Sequence, residues 1–164
     1  MSRVYVSIGS NIEPARHVRL AVTALHEYFG KLDISRVFES EAVGFDGDNF
    51  YNLVVGLDTE LDVNNVNKIL HEIEDRYGRE RNGPRFSARS IDLDLLLFDD
   101  LVMTEDKLVL PREEILQNAF VLWPLAEIAP DLVHPTKKES IAVLWNQFDK
   151  SKQQLEPIIF DWPG

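Results

Sequence analysis

The chain has 164 residues, a formal net charge of -11 and a pI near 4.7, with globular-type fractions of hydrophobic (45%) and charged (27%) residues. Such acidity argues against general binding of nucleic acid or membrane surfaces, which repel it, and the absence of cysteine excludes disulfides, thiolate zinc sites and cysteine nucleophiles. A single domain over residues 1–164 is expected, without signal peptide or membrane span, in a reducing cytoplasm.

Val4, Val6 and Ile8 alternate with Tyr5 and Ser7, which predicts a strand ended by the turn Gly9-Ser10-Asn11. Residues 14–28 carry apolar positions at helical spacing, with Val18, Ala21, Val22, Leu25 and Phe29 on one face and Gly30 as the stop. A second strand is predicted over 32–40, a polar loop with Gly44 and the turn Asp46-Gly47 over 41–49, and a third strand over 50–61. Asp62 is a candidate N-cap for a helix over 63–77, whose apolar face is Val66, Ile69, Leu70 and Ile73. An arginine-rich loop leads into the strand 90–98. Its apolar end, Leu95 to Phe98, predicts burial on both faces and a central place in the sheet.

This order predicts an α+β fold with a ferredoxin-like βαββαβ core, an antiparallel sheet carrying two helices on one face. C-terminal additions follow: short strands over 101–103 and 108–110, and short helices around 113–117, 124–128 and 140–148. The chain then ends in an apolar tail over 157–160.

Half of the ten arginines lie between positions 76 and 89: Arg76, Arg79, Arg81, Arg85 and Arg89. The planar guanidinium can grip two phosphate oxygens at once. Asn82-Gly83-Pro84 makes this stretch rich in turn residues, which suits a lid closing over phosphates. Asp92 and Asp94 follow, and residues two apart in a strand share a face, so both carboxylates can converge on hard cations such as magnesium. A lone D-x-D is equally a polar strand end, and a lone arginine run is equally solvated surface. Their succession at an apolar strand favours phosphoryl-type transfer from a magnesium nucleotide. Phe50, Tyr51 and Phe120 suit either core packing or stacking on a planar ring. Asn52, in an apolar strand, offers the donors and acceptor that a heterocycle edge requires. His17, His26, His71 and His134 show no metal-ligand spacing, so structural or surface roles are expected for them.

The chain resembles the 6-hydroxymethyl-7,8-dihydropterin pyrophosphokinases of folate biosynthesis. The resemblance rests on Ile8-Gly-Ser-Asn11, Phe50-Tyr-Asn52, Gly78-Arg79-x-Arg81, Arg89-Ser-Ile-Asp92-Leu-Asp94-Leu-Leu-Leu-Phe98, and the run from Ala119 to Pro130. It implies transfer of pyrophosphate from ATP to the pterin hydroxymethyl group, with release of AMP. By that resemblance, Asp92 and Asp94 hold two magnesium ions, and Arg79 and Arg89 assist the transfer. Asn52 reads the pterin edge, Phe50 and Phe120 stack on its faces, and the Val43-Gly44 backbone lies beside it. Glu74, Arg81, Arg85, Lys107 and Arg112 lie by the nucleotide. The expected partners are small molecules, ATP and a pterin, with no nucleic acid or membrane, and the expected state is a monomer.

Several positions depart from the family pattern. Arg85-Phe-Ser-Ala-Arg89 replaces Arg-Trp-Gly-Pro-Arg, Arg112 stands where histidine is common, and Asn118 where arginine is frequent. Two alternatives follow from other classes: a non-catalytic paralogue that binds pterin or nucleotide, and an RNA-binding ferredoxin-like domain. The acidic charge and the lack of a basic aromatic sheet face speak against the latter.

Overall fold

A computed structural model describes residues 1–40, 49–77, 90–105 and 108–162. The elements run β1 (Ser2–Ser10), α1 (Pro14–Phe29), β2 (Leu32–Ile34), β3 (Val37–Ser40), β4 (Phe50–Thr59), α2 (Val63–Arg76) and β5 (Asp92–Phe98). They continue with β6 (Met103–Glu105), β7 (Leu108–Leu110), α3 (Glu114–Gln117), α4 (Ala119–Ile128), α5 (Ile141–Gln147) and β8 (Leu155–Ile158).

The main sheet has the order β5-β1-β4-β3-β8, with β2 pairing β4 beside β3, and every neighbour is antiparallel. If β2 and β3 are taken as one interrupted strand, this is the expected βαββαβ core. The interruption has a local cause. Ser35 N–H donates to the Val54 carbonyl at 3.0 Å, and Val54 N–H donates to Ser35 Oγ at 2.9 Å, so a side chain replaces a ladder bond at the break.

The helix limits follow their local chemistry. Gly30, at φ 78°, takes a left-handed conformation that ends α1. The Asp62 carboxylate accepts from Asn65 N–H at 2.8 Å and caps α2 as expected. Residues Val18, Ala21, Leu25, Val66, Leu70 and Ile73 are buried against Val4, Val6, Ile8, Val55 and Leu57 on one sheet face.

The opposite face is covered as well. Tyr5, Val54, Leu96 and Leu97 pack with Ile115, Val121, Leu122, Leu125 and Ile141 from the C-terminal helices. The sheet is therefore sandwiched, which explains why most of β1 and β4 and the later part of β5 are buried on both sides.

Several sequence expectations are corrected. The strand over 92–98 is buried on both faces but stands at the end of the sheet rather than its centre. Its outer edge is satisfied from elsewhere: Leu93 N–H donates to Glu74, and the Leu96 carbonyl accepts from Arg112 N–H at 3.0 Å. Gly9 and Ser10 continue β1 instead of ending it. The strand expected over 101–103 begins at Met103, and α4 begins at Ala119 with Pro124 inside it. The apolar tail contributes β8, which extends the sheet against β3. Among the described residues no helix is long and apolar enough to cross a membrane.

Candidate active site

Three strands meet in one cross-sheet row. Gly9 on β1 pairs with Asn52 on β4 and with Asp92 on β5. Directly paired residues project on the same face, so Asn52 and Asp92 flank Gly9 on that face. The missing side chain at Gly9 is required by this geometry. A Cβ there would stand 2.9 Å from Asn52 Oδ1 and 4.0 Å from Asp92 Cβ. Asn52, only 8% exposed, thus lays its carboxamide over Gly9 toward Asp92.

With strands spaced about 4.8 Å apart, Asn52 and Asp92 are separated at the backbone by roughly 10 Å. Gly9→Ala should displace the Asn52 carboxamide and weaken binding of a ligand held by it by roughly tenfold, while ATP affinity stays within twofold; equilibrium titration of each ligand checks this.

Asp94 is next on the same face of β5, opposite Ser7. Arg112 Nη2 stands 3.3 Å from Asp94 Oδ1, and Arg112 Nε contacts the Glu114 carboxylate, so the guanidinium is held between two acids. The sequence left Glu114 unremarked, although its position two residues after Arg112 placed it within reach.

Glu74, near the C-terminal end of α2, reaches the edge of β5. Its Oε2 accepts from Leu93 N–H at 2.9 Å, between the two aspartates, and its Oε1 lies 3.1 Å from His71 Nδ1. Burial pushes the Glu74 carboxyl above the ordinary carboxylate range, and the Asp92 charge adds to the rise, against the Leu93 N–H and His71. A carboxyl raised in the folded state binds its proton more tightly there than in the unfolded chain. Its stabilising contribution is therefore full below the unfolded value, about 4.3, and is lost as pH rises through the folded value. Glu74→Gln keeps an acceptor for Leu93 N–H and removes the charge. Its melting temperature should gain on that of the parent protein between pH 4 and 8 in magnesium-free buffer.

Phe50 lies two residues before Asn52 on the same strand face, opposite Ser40, and is half-buried. Phe120 is half-buried near the start of α4, which packs on β4 and β3 through Trp123, whose ring lies 4.6 Å from that of Phe38. Phe38 is itself paired with Asn52, so α4 lies over the strand face that carries Asn52.

Phe50, Asn52, Asp92, Asp94 and Arg112 are brought to one face, with Phe120 on the helix above it and Glu74 at the adjoining edge. Val43, Gly44, Arg79, Arg81, Arg85, Arg89 and Lys107 lie outside the described residues. Arg76, counted in the arginine run, donates to the Tyr28 hydroxyl at 3.0 Å and ties α2 to α1. The histidines are structural where expected: His17 is buried with Nδ1 against the Ile12 carbonyl, and buried His134 accepts from Lys137 N–H at 3.1 Å.

Two carboxylates on one strand face fit magnesium, which takes few protein ligands and completes its shell with water and substrate phosphates. Among the described residues no cluster of three or more acidic or histidine ligands occurs.

Residues 5–130 match the model of the family described as 7,8-dihydro-6-hydroxymethylpterin-pyrophosphokinase. A 2-amino-4-hydroxy-6-hydroxymethyldihydropteridine pyrophosphokinase of Methylorubrum extorquens is 37% identical over 150 residues, covering 88% of this chain and 94% of that one. The Pseudomonas aeruginosa protein of the same name is 36% identical over 139 residues, covering 82% and 85%. A crystal structure of wild-type Plasmodium falciparum HPPK-DHPS superposes with a TM-score of 0.71 at 15% identity, over 90% of this chain. This chain spans 43% of the length of that fused protein. The ferredoxin-like fold, the face that carries Asn52 and the paired aspartates, and these similarities lead to one assignment: the chain belongs to the 7,8-dihydro-6-hydroxymethylpterin-pyrophosphokinase family.

Proposed function

We propose that the chain carries out its family's reaction, ATP-dependent transfer of pyrophosphate to 6-hydroxymethyl-7,8-dihydropterin with release of AMP, in folate biosynthesis. The observation that carries this reading is the Asn52–Gly9–Asp92 row, which sets an amide reader of heterocycle edges beside a carboxylate pair on one sheet face.

In this reading Asn52 hydrogen-bonds the pterin edge, and Phe50 and Phe120 hold the ring between them, with the Val43-Gly44 backbone alongside. The ring is then oriented with its hydroxymethyl arm toward Asp92 and Asp94. Those two carboxylates would hold two magnesium ions, which supply neutralisation of phosphate charge when bound. The hydroxymethyl oxygen attacks the β-phosphorus and loses its proton, the bond from that phosphorus to the α-phosphate oxygen breaks, and AMP leaves. Arg79 and Arg89 take up charge on the transferring group, while Glu74, Arg81, Arg85, Lys107 and Arg112 lie toward the nucleotide. Positioning and charge stabilisation supply the acceleration, and no covalent enzyme intermediate is involved. A monomer acting in the cytoplasm completes the proposal.

The test is AMP formation from ATP and magnesium with and without the pterin. Pterin-dependent AMP establishes the transferase. Folded protein that binds the pterin but forms no AMP would instead make it a binding paralogue.

A further inference from the structure

The family match ends at residue 130, yet a side chain far beyond it meets the start of the helix that carries Phe120. Helix α4 starts at Ala119 with Asn118 as its N-cap, and Asn118 makes no side-chain capping bond. The first N–H groups of a helix need partners from outside it. Ala119 N–H finds one in Gln153, whose Oε1 accepts from it at 2.6 Å. The same carboxamide donates through Nε2 to the Gln117 carbonyl, the last residue of α3, at 2.8 Å.

One side chain therefore holds the backbone on both sides of Asn118. Its orientation is dictated by its partners, because a carbonyl can only accept and an N–H can only donate. Gln153 is itself placed from both sides. Before it, the Asp149 carboxylate accepts from Ser151 N–H at 3.1 Å in a short helical turn; after it, Leu155 pairs with Ser40.

The clamp stands one residue before Phe120. The far end of α4 is fixed independently, by Glu127, which accepts from Arg36 N–H at 3.0 Å and from Arg36 Nε at 2.6 Å. The middle is fixed by Trp123 against Phe38. Without Gln153, the junction before Phe120 loses these two hydrogen bonds. Gln153 and Phe120 also line one cleft of about 840 Å³ with Ser40, Asn49, Trp123 and Leu155, on the tail side of Phe120. Asn52 and the two aspartates are not among its walls.

We infer that Gln153 is a positioning residue for the pterin site: its carboxamide locks the α3–α4 junction and thereby fixes the ring of Phe120. This rests on the reading that Phe120 stacks on the pterin. The C-terminal segment is then part of the specificity apparatus rather than only an additional strand.

The experiment is a double-mutant cycle on the full chain, reading equilibrium affinity for 6-hydroxymethyl-7,8-dihydropterin, affinity for magnesium-ATP, and melting temperature. Gln153→Ala should weaken pterin binding about tenfold and leave ATP affinity within twofold, because two outside hydrogen bonds on one junction are lost. In a Phe120→Ala background the same substitution should add less than twofold. Gln153→Glu, which keeps the acceptor for Ala119 N–H but sets a carboxylate oxygen against the Gln117 carbonyl, should also weaken pterin binding and leave ATP affinity within twofold, and it carries the cycle if Gln153→Ala fails to fold.

If Phe120→Ala weakens pterin binding and the Gln153 variants do not, the inference fails and the reading of Phe120 stands. Equal effects of Gln153→Ala with and without Phe120, or an equal loss of ATP affinity, would also overturn it. Phe120→Ala without effect on pterin binding would remove both.

Discussion

Asp92→Ala should lower pterin-dependent AMP formation by roughly 10³-fold or more, the scale on which charge stabilisation of a transferring phosphoryl group is lost. Asp92 is half-buried on an edge strand and faces Gly9 across the ladder, so its removal opens no core cavity. The melting temperature should move by no more than a few degrees, as for other substitutions outside the core. Asp94→Ala should lose activity on the same scale, with one difference: it frees Arg112 Nη2 while Arg112 Nε keeps Glu114. Measuring kcat across a magnesium titration separates the outcomes. A variant restored by high magnesium has lost affinity for the cation, and one that stays inactive has lost its geometry. Undiminished AMP formation by Asp92→Ala would remove the carboxylate pair from the chemistry.

Asn52→Ala should reduce kcat/KM for the pterin by about 10²-fold, with KM for ATP within twofold of the parent value. The asymmetry comes from burial. Asn52 is almost wholly enclosed and lies over Gly9, which brings no side chain of its own to the row. Pterin polar groups brought against that surface would remain unsatisfied, and a buried unsatisfied group costs more than a hydrogen bond returns. Asn52→Asp keeps the shape and an acceptor, removes the amide donors, and adds a negative charge to the row that already carries Asp92. It should be at least as damaging. Pterin titration with parallel melting curves checks both, and parental pterin affinity in either variant would place the ring elsewhere.

The two predictions draw on different kinds of information. Asp92 and Asp94 were legible because a two-residue period in a strand places both on one face whatever surrounds them. The helices over 14–29 and 63–76 were equally local, marked by apolar spacing, a capping aspartate and a terminating glycine. The partnership of Asn52 with Asp92 was not local. It depends on register across β4, β1 and β5, and positions 9, 52 and 92 meet only once the sheet assembles. Gly9 looked like a turn glycine for the same reason: a residue required small by a neighbour 43 positions away resembles any other glycine at a strand end.

The sequence by itself determined the element types, their order, the ferredoxin-like core and the residue classes of the site, because periodicity and caps act over a few residues. Tertiary structure alone decided the rest. It placed β5 at the sheet end, since edge bonds to Glu74 and Arg112 can substitute for a neighbouring strand. It brought Arg112 between Asp94 and Glu114, drew Arg76 away to Tyr28, and folded the tail back so that Gln153 holds the helix bearing Phe120. Each of these is a pairing between residues distant in sequence or a choice among nearby partners. Its free energy exists only after the chain has closed the loop between them, so no local pattern encodes it.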